Sequence, residues 1–444
     1  MPETAATTNA CKLCTPLGAC LAMAGFERCV PVLHGSQGCA TYMRRYLISH
    51  FNEPVDIASS SFGEDAAVFG GEANLLAALT NVNAKYEPAL IGVATTCLAE
   101  TIGDDVPAIL SRFEAERRPH LISVSTPAYR GTHADGFHAT VLAAVRSQAA
   151  AGPRGDHANV FAGMMSPADY RHLDELLRSL GLQPVLLPDY RDTLDGPALA
   201  EYRRLPEGGA TLADLAASGR AGVSIQCGRL LADTEHAAGD WLEREFGVPC
   251  LRVGLPIGVR ETDALVDALA NHCGAQLTPE VEAERGRLID SYVDGHKYVS
   301  GRRAVVYGEE DLVLGLTSFL AEIGIVPAIV ATGAAGPRLA DELAKLVPDQ
   351  VDRMVVLTGA DFEQIETAAR AGNADLLVGH SKGYGIARRL GIPLVRVGFP
   401  IHDRLGGQRL LHLGYRGTQQ LFDRVVNALI EHDQDASPVG YAYM

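Results

Sequence analysis

Short apolar runs recur along the chain, and glycine, proline or polar residues bound each of them. Runs of about six residues rich in valine, isoleucine and leucine are typical of strands buried on both faces of a parallel sheet. Longer helical stretches separate these runs. The predicted strands lie near 29–34, 54–59, 89–95, 121–125, 159–164, 183–188, 222–227, 249–254, 303–308, 327–332, 353–358, 375–380 and 393–398.

Strand and helix alternate along the whole chain, which predicts an α/β fold of doubly wound units with parallel sheets. The phrase RVGLPI at 252–257 returns as RVGFPI at 396–401, which indicates a repeated unit. We therefore expect three units, at 1–150, 151–300 and 301–444.

The joins between these units also have sequence signals. The segment AAAGPRGDHA at 149–158 suits a linker, and 281–302 is expected to be one long helix that leads into the third unit. Helices are predicted at 167–181 and 311–324 because each stretch ends on a glycine, as helix C-termini often do.

Composition narrows the function classes. The chain has 444 residues and a formal net charge of −16, and 47% of its residues are hydrophobic. Nucleic acid and anionic membrane surfaces are poor partners for such a chain because both need a basic face. The first residues show no basic stretch followed by an apolar core, and no run of about 18 apolar residues exists, so we expect a cytoplasmic protein without a secretory leader or membrane span.

Nine cysteines are present, and six of them fall within the first hundred residues. Disulfides are rare in cytosolic proteins, so this clustering favours metal or redox chemistry. Cys39 and Cys97 each follow a predicted strand, at the sheet edge where open α/β sheets bind ligands. Together with Cys14 they place three thiols on separate loops that could converge on a metal cluster.

Longer motifs around these cysteines resemble the β-type subunit of the nitrogenase component 1 family. The resemblance continues in order over nearly the whole chain. The matching motifs are CTPLGA, HGSQGC, RRYLISHFNEPVDIASSS, DAAVFGG (65–71), TTCLAETIGDD (95–105), STPAYRGTH (125–133), GLPIGVRETD (254–263), the stretch at 284–324 and RVGFPIHDR (396–404).

The resemblance implies three Rossmann-like domains and a homologous α-type partner in an α2β2 heterotetramer. It also implies an iron–sulfur cluster at the α/β interface, of the 8Fe-7S P-cluster type, with Cys14, Cys39 and Cys97 as this chain's ligands. A smaller 4Fe-4S cluster is the alternative. Thiolates are the soft anionic ligands that such clusters need. Where the family can add a serine ligand, this chain has Ala128.

The family's role for such a chain is electron transfer within an oxidoreductase, so no catalytic residue is expected here. No Walker lysine motif occurs, and any ATP-driven step would belong to a separate iron-protein reductase. Methylthio-alkane reduction is favoured, because of Ala128 and because the chain is short. A maturation scaffold for the iron–molybdenum cofactor, a nitrogenase β subunit proper and a structural subunit with vestigial cysteines are the alternatives.

Other polar and thiol residues have less specific signals. Cys11 is expected to be a bystander or an occasional alternative ligand, and the cysteines at 20, 29, 227, 250 and 273 are expected to pack in the core. Glycines 18, 35 and 38 could let backbone N–H groups approach the sulfides. His34 could tune a cluster or be structural, and the residues 402–404 are expected to stabilise an interface. The acids at 100, 104 and 105 suit a helix N-terminus.

Overall fold

Residues 9–201, 203–232 and 234–439 are described in the computed structural model, and their strands form three parallel sheets of four, four and five strands. This confirms the predicted α/β class. Residues 1–8, which contributed to the expectation that no leader is present, lie outside the described residues. No helix in the described part of the chain is long and apolar enough to cross a membrane.

The first sheet has the strand order β2-β1-β3-β4. Its strands are β1 (Cys29–His34), β2 (Ala58–Ser59), β3 (Leu90–Thr95) and β4 (His120–Val124). The helices of this part are α1 (Thr15–Met23), α2 (Gln37–Phe51), α3 (Glu64–Phe69), α4 (Glu72–Tyr86), α5 (Cys97–Ile102), α6 (Val106–Ser111) and α7 (His133–Gln148).

The second sheet has the order β6-β5-β7-β8. Its strands are β5 (His157–Phe161), β6 (Gln183–Leu186), β7 (Val223–Cys227) and β8 (Cys250–Val253). The helices here are α8 (Pro167–Ser179), α9 (Leu212–Ala217), α10 (Ala238–Phe246), α11 (Gly258–Cys273) and α12 (Pro279–Val299).

The third sheet has the order β11-β10-β9-β12-β13. Its strands are β9 (Arg303–Gly308), β10 (Val326–Thr332), β11 (Val355–Leu357), β12 (Leu376–Gly379) and β13 (Leu394–Arg396). The helices are α13 (Glu310–Glu322), α14 (Arg338–Leu346), α15 (Phe362–Ala371), α16 (Tyr384–Leu390) and α17 (Gly414–Ala436). Helix α17 packs on α11 and α12, so it closes over the helices of the second sheet. The exact unit boundaries stay a prediction.

The strand order of the first sheet reverses between β1 and β3. Both strands are buried almost throughout, and they pair in parallel from Cys29 beside Leu90 to His34 beside Thr95. In open α/β sheets, ligands bind beyond the carboxyl ends of the strands at such a reversal. Cys39 lies in the segment after β1, and Cys97 directly follows β3, so the reversal brings these two cysteines to one place.

Helix α1 is buried along its whole length, and two glycines let it cross α7 at very short range. A Cβ atom on Gly18 would lie 1.6 Å from the carbonyl oxygen of His133, and one on Gly136 would lie 1.9 Å from the carbonyl oxygen of Thr15. No side chain fits at either position. The crossing therefore fixes α1, and with it Cys14 at the start of α1, against the helix that follows β4.

A segment ahead of α1, which we call the N-terminal strap (residues 9–13), runs along the third sheet. The backbone N–H of Cys11 donates to the carbonyl oxygen of Ala360 at 2.9 Å, and that of Phe362 donates to Asn9 at 3.2 Å. The Cys11 side chain is buried in the hydrophobic cluster of the third sheet. The strap thus ties the third sheet to the start of α1.

A buried carboxylate joins α8 to the segment before α17. Asp169 accepts hydrogen bonds from the backbone N–H groups of His412 and Leu413, at 2.6 and 3.0 Å, and its other oxygen lies 2.9 Å from His412 Nδ1. Burial alone would raise the pKa of Asp169, but the His412 charge and these hydrogen bonds outweigh it and lower that pKa.

Most predicted elements are present, with shifted ends. The helices predicted at 167–181 and 311–324 end at Ser179 and Glu322, each followed within two residues by a glycine of positive φ. The strand predicted at 54–59 is largely wrong, since only Ala58–Ser59 pairs with β1. Pro54 has no N–H for a sheet ladder, and the Asp56 carboxylate accepts from the Tyr86 hydroxyl instead.

We expect Gly18→Ala to destabilise the protein by about 3 kcal/mol, because its Cβ would overlap backbone that cannot move aside. Gly286→Ala is the matched control. Nothing lies within 4 Å of a Cβ there, on an exposed face of α12, so alanine should raise stability by about 0.5–1 kcal/mol. Denaturation midpoints of the purified variants measure both effects. Equal midpoints for Gly18→Ala and the parent protein would contradict the role of the crossing.

We expect Asp169→Asn to destabilise the fold by about 3 kcal/mol, because it removes the buried carboxylate that accepts hydrogen bonds from the backbone N–H groups of His412 and Leu413. Since the folded-state pKa of Asp169 is lowered, its contribution is fully present above the unfolded pKa of about 3.9 and is lost as the pH falls below it. Urea unfolding measures the free energy of unfolding of variant and parent. The difference between them should be smaller at a pH below 4 than at pH 7. Glu342→Gln, in an exposed pair with Lys345, should cost less than about 1 kcal/mol at both pH values.

Candidate metal centre

Three cysteines lie at the first turns of three helices. Cys14 is the residue that caps α1, Cys39 lies in the first turn of α2, and Cys97 is the first residue of α5. Unpaired backbone N–H groups and the helix dipole favour negative charge at such positions. Each of the three cysteines therefore lies beside the backbone N–H groups of a helix N-terminus.

Cys14 lies within electrostatic range of the other two thiols. Burial raises the pKa of Cys14, and Cys97 and then Cys39 raise it further, because like charges close by disfavour a third thiolate. The Thr15 hydroxyl, next to Cys14, donates to the carbonyl oxygen of Pro127 at 3.5 Å, in the loop that contacts Cys97. Cys14 and Cys39 are half-buried and Cys97 is exposed, so the group opens at the surface of the chain.

Two of the sulfurs accept hydrogen bonds within the chain. The Ser36 hydroxyl donates to Cys39 Sγ at 3.6 Å, and the backbone N–H of Ala128 donates to Cys97 Sγ at 3.3 Å. Hydrogen bonds to ligand sulfur stabilise the more negative, reduced state of a cluster. Ala128 therefore contributes its backbone, where a serine would also have offered an oxygen.

Two of the three neighbouring glycines have packing roles, and an approach of N–H groups to sulfides beside them stays a prediction. Gly18 serves the contact between α1 and α7, and Gly35 makes room for Thr96, whose Oγ1 would lie 2.0 Å from a Cβ there. The N–H group that does reach a sulfur belongs to Ala128. Only Gly38, with nothing nearer than Ser36 Oγ at 3.8 Å, keeps open space beside a cysteine.

His34 is a structural residue in this chain. Its ring is fully buried, with Nδ1 at 3.0 Å from Ser60 Oγ and Nε2 at 2.9 Å from Asp104 Oδ2. Burial lowers its pKa, and the Asp104 carboxylate opposes that shift. Both ring nitrogens are thus occupied away from sulfur. Asp104 also accepts the backbone N–H of Gly71, the residue that caps α4, so its carboxylate does lie at a helix N-terminus.

The other acids follow the prediction. Asp105 caps α6 by accepting the backbone N–H of Ala108 at 3.1 Å. Glu100 lies in the first turn of α5, where its carboxylate accepts from Thr95 and Ser125. These contacts hold the loops around Cys97 together.

Residues 402–404 connect parts of this chain with one another. His402 Nε2 lies 3.3 Å from the carbonyl oxygen of Tyr46, on α2, and Asp403 binds Arg396 at 2.8 and 2.7 Å. The motif therefore fastens the third sheet to the helix that carries Cys39.

The remaining cysteines lie apart from this centre. Cys11 is buried in the strap, where burial raises its pKa to about 12, and Cys227 ends β7 in the core with a similarly raised pKa. Cys20 and Cys250 are also buried, and Cys29 packs partly buried at the start of β1. The core assignment of Cys273 is wrong, since this residue ends α11 at the surface and its thiol is exposed.

The donor set fits a shared iron–sulfur cluster. Within the described residues, no group of three or more histidine, cysteine or acidic side chains is arranged around one metal ion. An iron–sulfur cluster is held differently, because its irons are spread over a larger body and each takes a thiolate. Three thiols that converge and open at the surface suit such a body and leave its far side for other donors.

Sequence reasoning missed the residues that act on these thiols from a distance. Lys12 and Lys382 both exert an electrostatic effect on Cys14, and each would stabilise its thiolate. Lys12 had a signal, because it lies between Cys11 and Cys14. Lys382 had none, because only the folded chain brings the third sheet to the strap.

Comparisons with known proteins agree with this arrangement. The family model described as nitrogenase component 1 type oxidoreductase matches residues 14–430. The nitrogenase molybdenum-iron protein beta chain of Clostridium pasteurianum is 35% identical over 429 residues, which cover 95% of this chain and 93% of the relative. The nitrogenase vanadium-iron protein beta chain of Trichormus variabilis is 34% identical over 454 residues, covering 98% and 97%.

Solved structures show the same relationship. A chain of nitrogenase Cp1 at pH 6.5 superposes with a TM-score of 0.95 at 33% identity, covering all of this chain and 98% of the other. A chain of nitrogenase Cp1 at pH 5 reaches a TM-score of 0.69 at 16% identity, which shows a shared fold only. The chain thus belongs to the nitrogenase component 1 type oxidoreductase family, as a β-type subunit.

Proposed function

We propose that this chain is the electron-transfer subunit of a nitrogenase-like reductase, with Cys14, Cys39 and Cys97 as its ligands to an interfacial cluster. The observation that supports this most directly is the convergence of three thiols at helix N-termini. The cluster would be of the 8Fe-7S P-cluster type, shared with an α-type partner in an α2β2 assembly, and 4Fe-4S is the alternative. Bound there, such a cluster stores and passes on electrons.

The surface around the thiols suits burial against a second chain. Leu98 and Tyr129 are exposed beside Cys97 and Ala128, and Tyr42 is exposed on the helix of Cys39. On α3, which packs against α5, Phe69 is 86% exposed. Apolar groups exposed together around a charged centre mark a protein interface, and covering them would also exclude water from the cluster.

The chain's own residues do three things in this scheme. The three cysteines would bind the cluster. The hydrogen bonds from Ser36 and Ala128 would hold two of the sulfurs and favour the reduced state of the cluster. The crossing at Gly18 keeps Cys14 in place. Electrons would come from an ATP-dependent iron-protein reductase and leave toward a cofactor in the α-type partner. The cavity lined by His50, Phe399 and His412 among others has a volume of only about 20 Å³. That is room for about one water, so this cavity would not hold a substrate-reducing cofactor.

Among the family's reactions we favour methylthio-alkane reduction, on the strength of Ala128 in the place of a serine. The length of the chain gives no support, because it covers 93% of the Clostridium relative and 97% of the vanadium-iron relative. A nitrogenase β subunit proper, which the names of these relatives favour, and a maturation scaffold are the competing functions. Purified complex supplied with its reductase should release hydrocarbon from a methyl thioether over many turnovers. Transfer of cofactor to an apo-nitrogenase without turnover would identify a scaffold.

We expect Cys97→Ala to lower the iron content of the purified complex and to abolish electron transfer, because one edge of the cluster loses its thiolate. The complex itself should still form, since Cys97 is exposed and its loss removes little packing. Cys273→Ala, an exposed thiol at the end of α11, is the control and should keep iron and turnover. Iron analysis, the electron paramagnetic resonance spectrum and gel filtration measure this, and full iron in the Cys97 variant would refute the ligand assignment.

We expect Ser36→Ala to make the midpoint potential of the cluster more negative while iron content stays unchanged. The hydroxyl donates to Cys39 Sγ, and losing this bond destabilises the reduced state by about 1 kcal/mol. Ser36→Thr keeps a hydroxyl and should keep the parent potential. A redox titration followed by electron paramagnetic resonance decides the matter, and identical potentials in all three proteins would show that the hydroxyl does not act on the cluster.

A further inference from the structure

A cavity of about 210 Å³ lies at the edge of the third sheet. The edge strand β13, the segment 401–410 and helix α17 form its walls. Most of the lining side chains are apolar, among them Leu394, Ile401 and Leu410. Since an apolar cavity of about 150 Å³ can hold a benzene-sized molecule, this one has room for a ligand of about eight non-hydrogen atoms.

Three arginines also line this cavity, namely Arg396, Arg404 and Arg424. The Asp403 carboxylate binds the Arg396 guanidinium with both oxygens, at 2.8 and 2.7 Å. Arg404 donates to the backbone carbonyl oxygen of Asp403 at 2.6 Å, and the carboxylate oxygen Oδ2 of the same residue lies 3.8 Å away. None of the lining residues, all of them within the described ranges, is acidic. The cavity is therefore locally positive in a chain whose formal net charge is −16.

Arg424, on α17, is the arginine of this group that lacks an anionic partner. Its Nε and Nη1 donate to the backbone carbonyl oxygens of Gln420 and Arg396, at 3.4 and 3.2 Å. Its Nη2 is buried, and no group in the described part of the chain accepts a hydrogen bond from it. Burial lowers the pKa of Arg424, and the Asp169 charge opposes that change without reversing it. A buried guanidinium without a paired carboxylate is unfavourable, and a bound anion would offset this cost.

We propose that this cavity binds a small aliphatic carboxylate, with the anionic group beside Arg404 and Arg424 and the hydrocarbon chain against the apolar wall. The two oxygens of a carboxylate match the planar guanidinium group. Inorganic phosphate would leave the apolar wall uncovered, and a neutral hydrocarbon would leave the charge of Arg424 without a partner. The inference goes beyond the proposed function, because the binding that it describes does not involve the three thiols.

Isothermal titration calorimetry of the purified complex with hexanoate tests this proposal. Hexanol is the probe with a hydrocarbon chain and no charge, and inorganic phosphate is the probe with charge and no chain. Hexanoate should bind about tenfold more tightly than either, because it alone satisfies both the arginines and the apolar wall. Arg424→Gln should weaken hexanoate binding about tenfold and leave hexanol binding unchanged, because the variant removes only the charge.

Arg404→Gln is the second variant, and it should fold even if Arg424→Gln does not, because the Arg404 side chain is exposed. It should also weaken hexanoate binding. Arg388→Gln, an exposed arginine on α16 outside the cavity, is the control and should bind hexanoate like the parent. Equal affinity in the parent and the cavity variants would show that hexanoate binds elsewhere and would overturn the proposal. So would the absence of binding at millimolar hexanoate, or tighter binding of phosphate than of hexanoate.

Discussion

The close crossing of α1 and α7 is the contact on which the arrangement of the thiols depends. Helix α1 has no polar face, and it is buried on every side because Gly18 and Gly136 let two backbones meet where no Cβ would fit. Interiors packed this densely have low compressibility and transmit strain. Cys14 caps α1, so its position beside the Pro127 loop follows from helix packing.

The other two cysteines are placed by sheet topology. Cys39 and Cys97 follow the two strands between which the order of the first sheet reverses, and the paired register of β1 and β3 sets their separation. The third sheet contributes through the strap, in which Cys11 donates to Ala360 and Lys382 donates to Ala10. The three thiols therefore sit where helix packing, strand order and an interaction with the far end of the chain coincide.

Much of the fold and part of the candidate site could be predicted from the sequence, because both depend on local sequence patterns. Buried strands can be recognised in the sequence as apolar runs. A cysteine that follows such a run, such as Cys97, lies at an edge of the sheet because the strand ends there. The strand predicted at 54–59 is largely wrong, because a short apolar run does not show where backbone hydrogen bonds go. The packing role of Gly18 was not predicted, because a glycine beside a ligand and a glycine at a helix crossing cannot be told apart in the sequence. Lys382 could not be predicted, because its 372-residue separation from Ala10 is closed only by the fold.

The proposed role in electron transfer fits the place where the thiols lie in the chain. The cavity beside His412, which pairs with Asp169, has a volume of only about 20 Å³. The thiols lie instead at the chain surface, half-open, with exposed apolar side chains around them. If a second chain covers this centre, as proposed, it would exclude both water and substrate. Electrons could still reach the site, because their transfer needs no open channel.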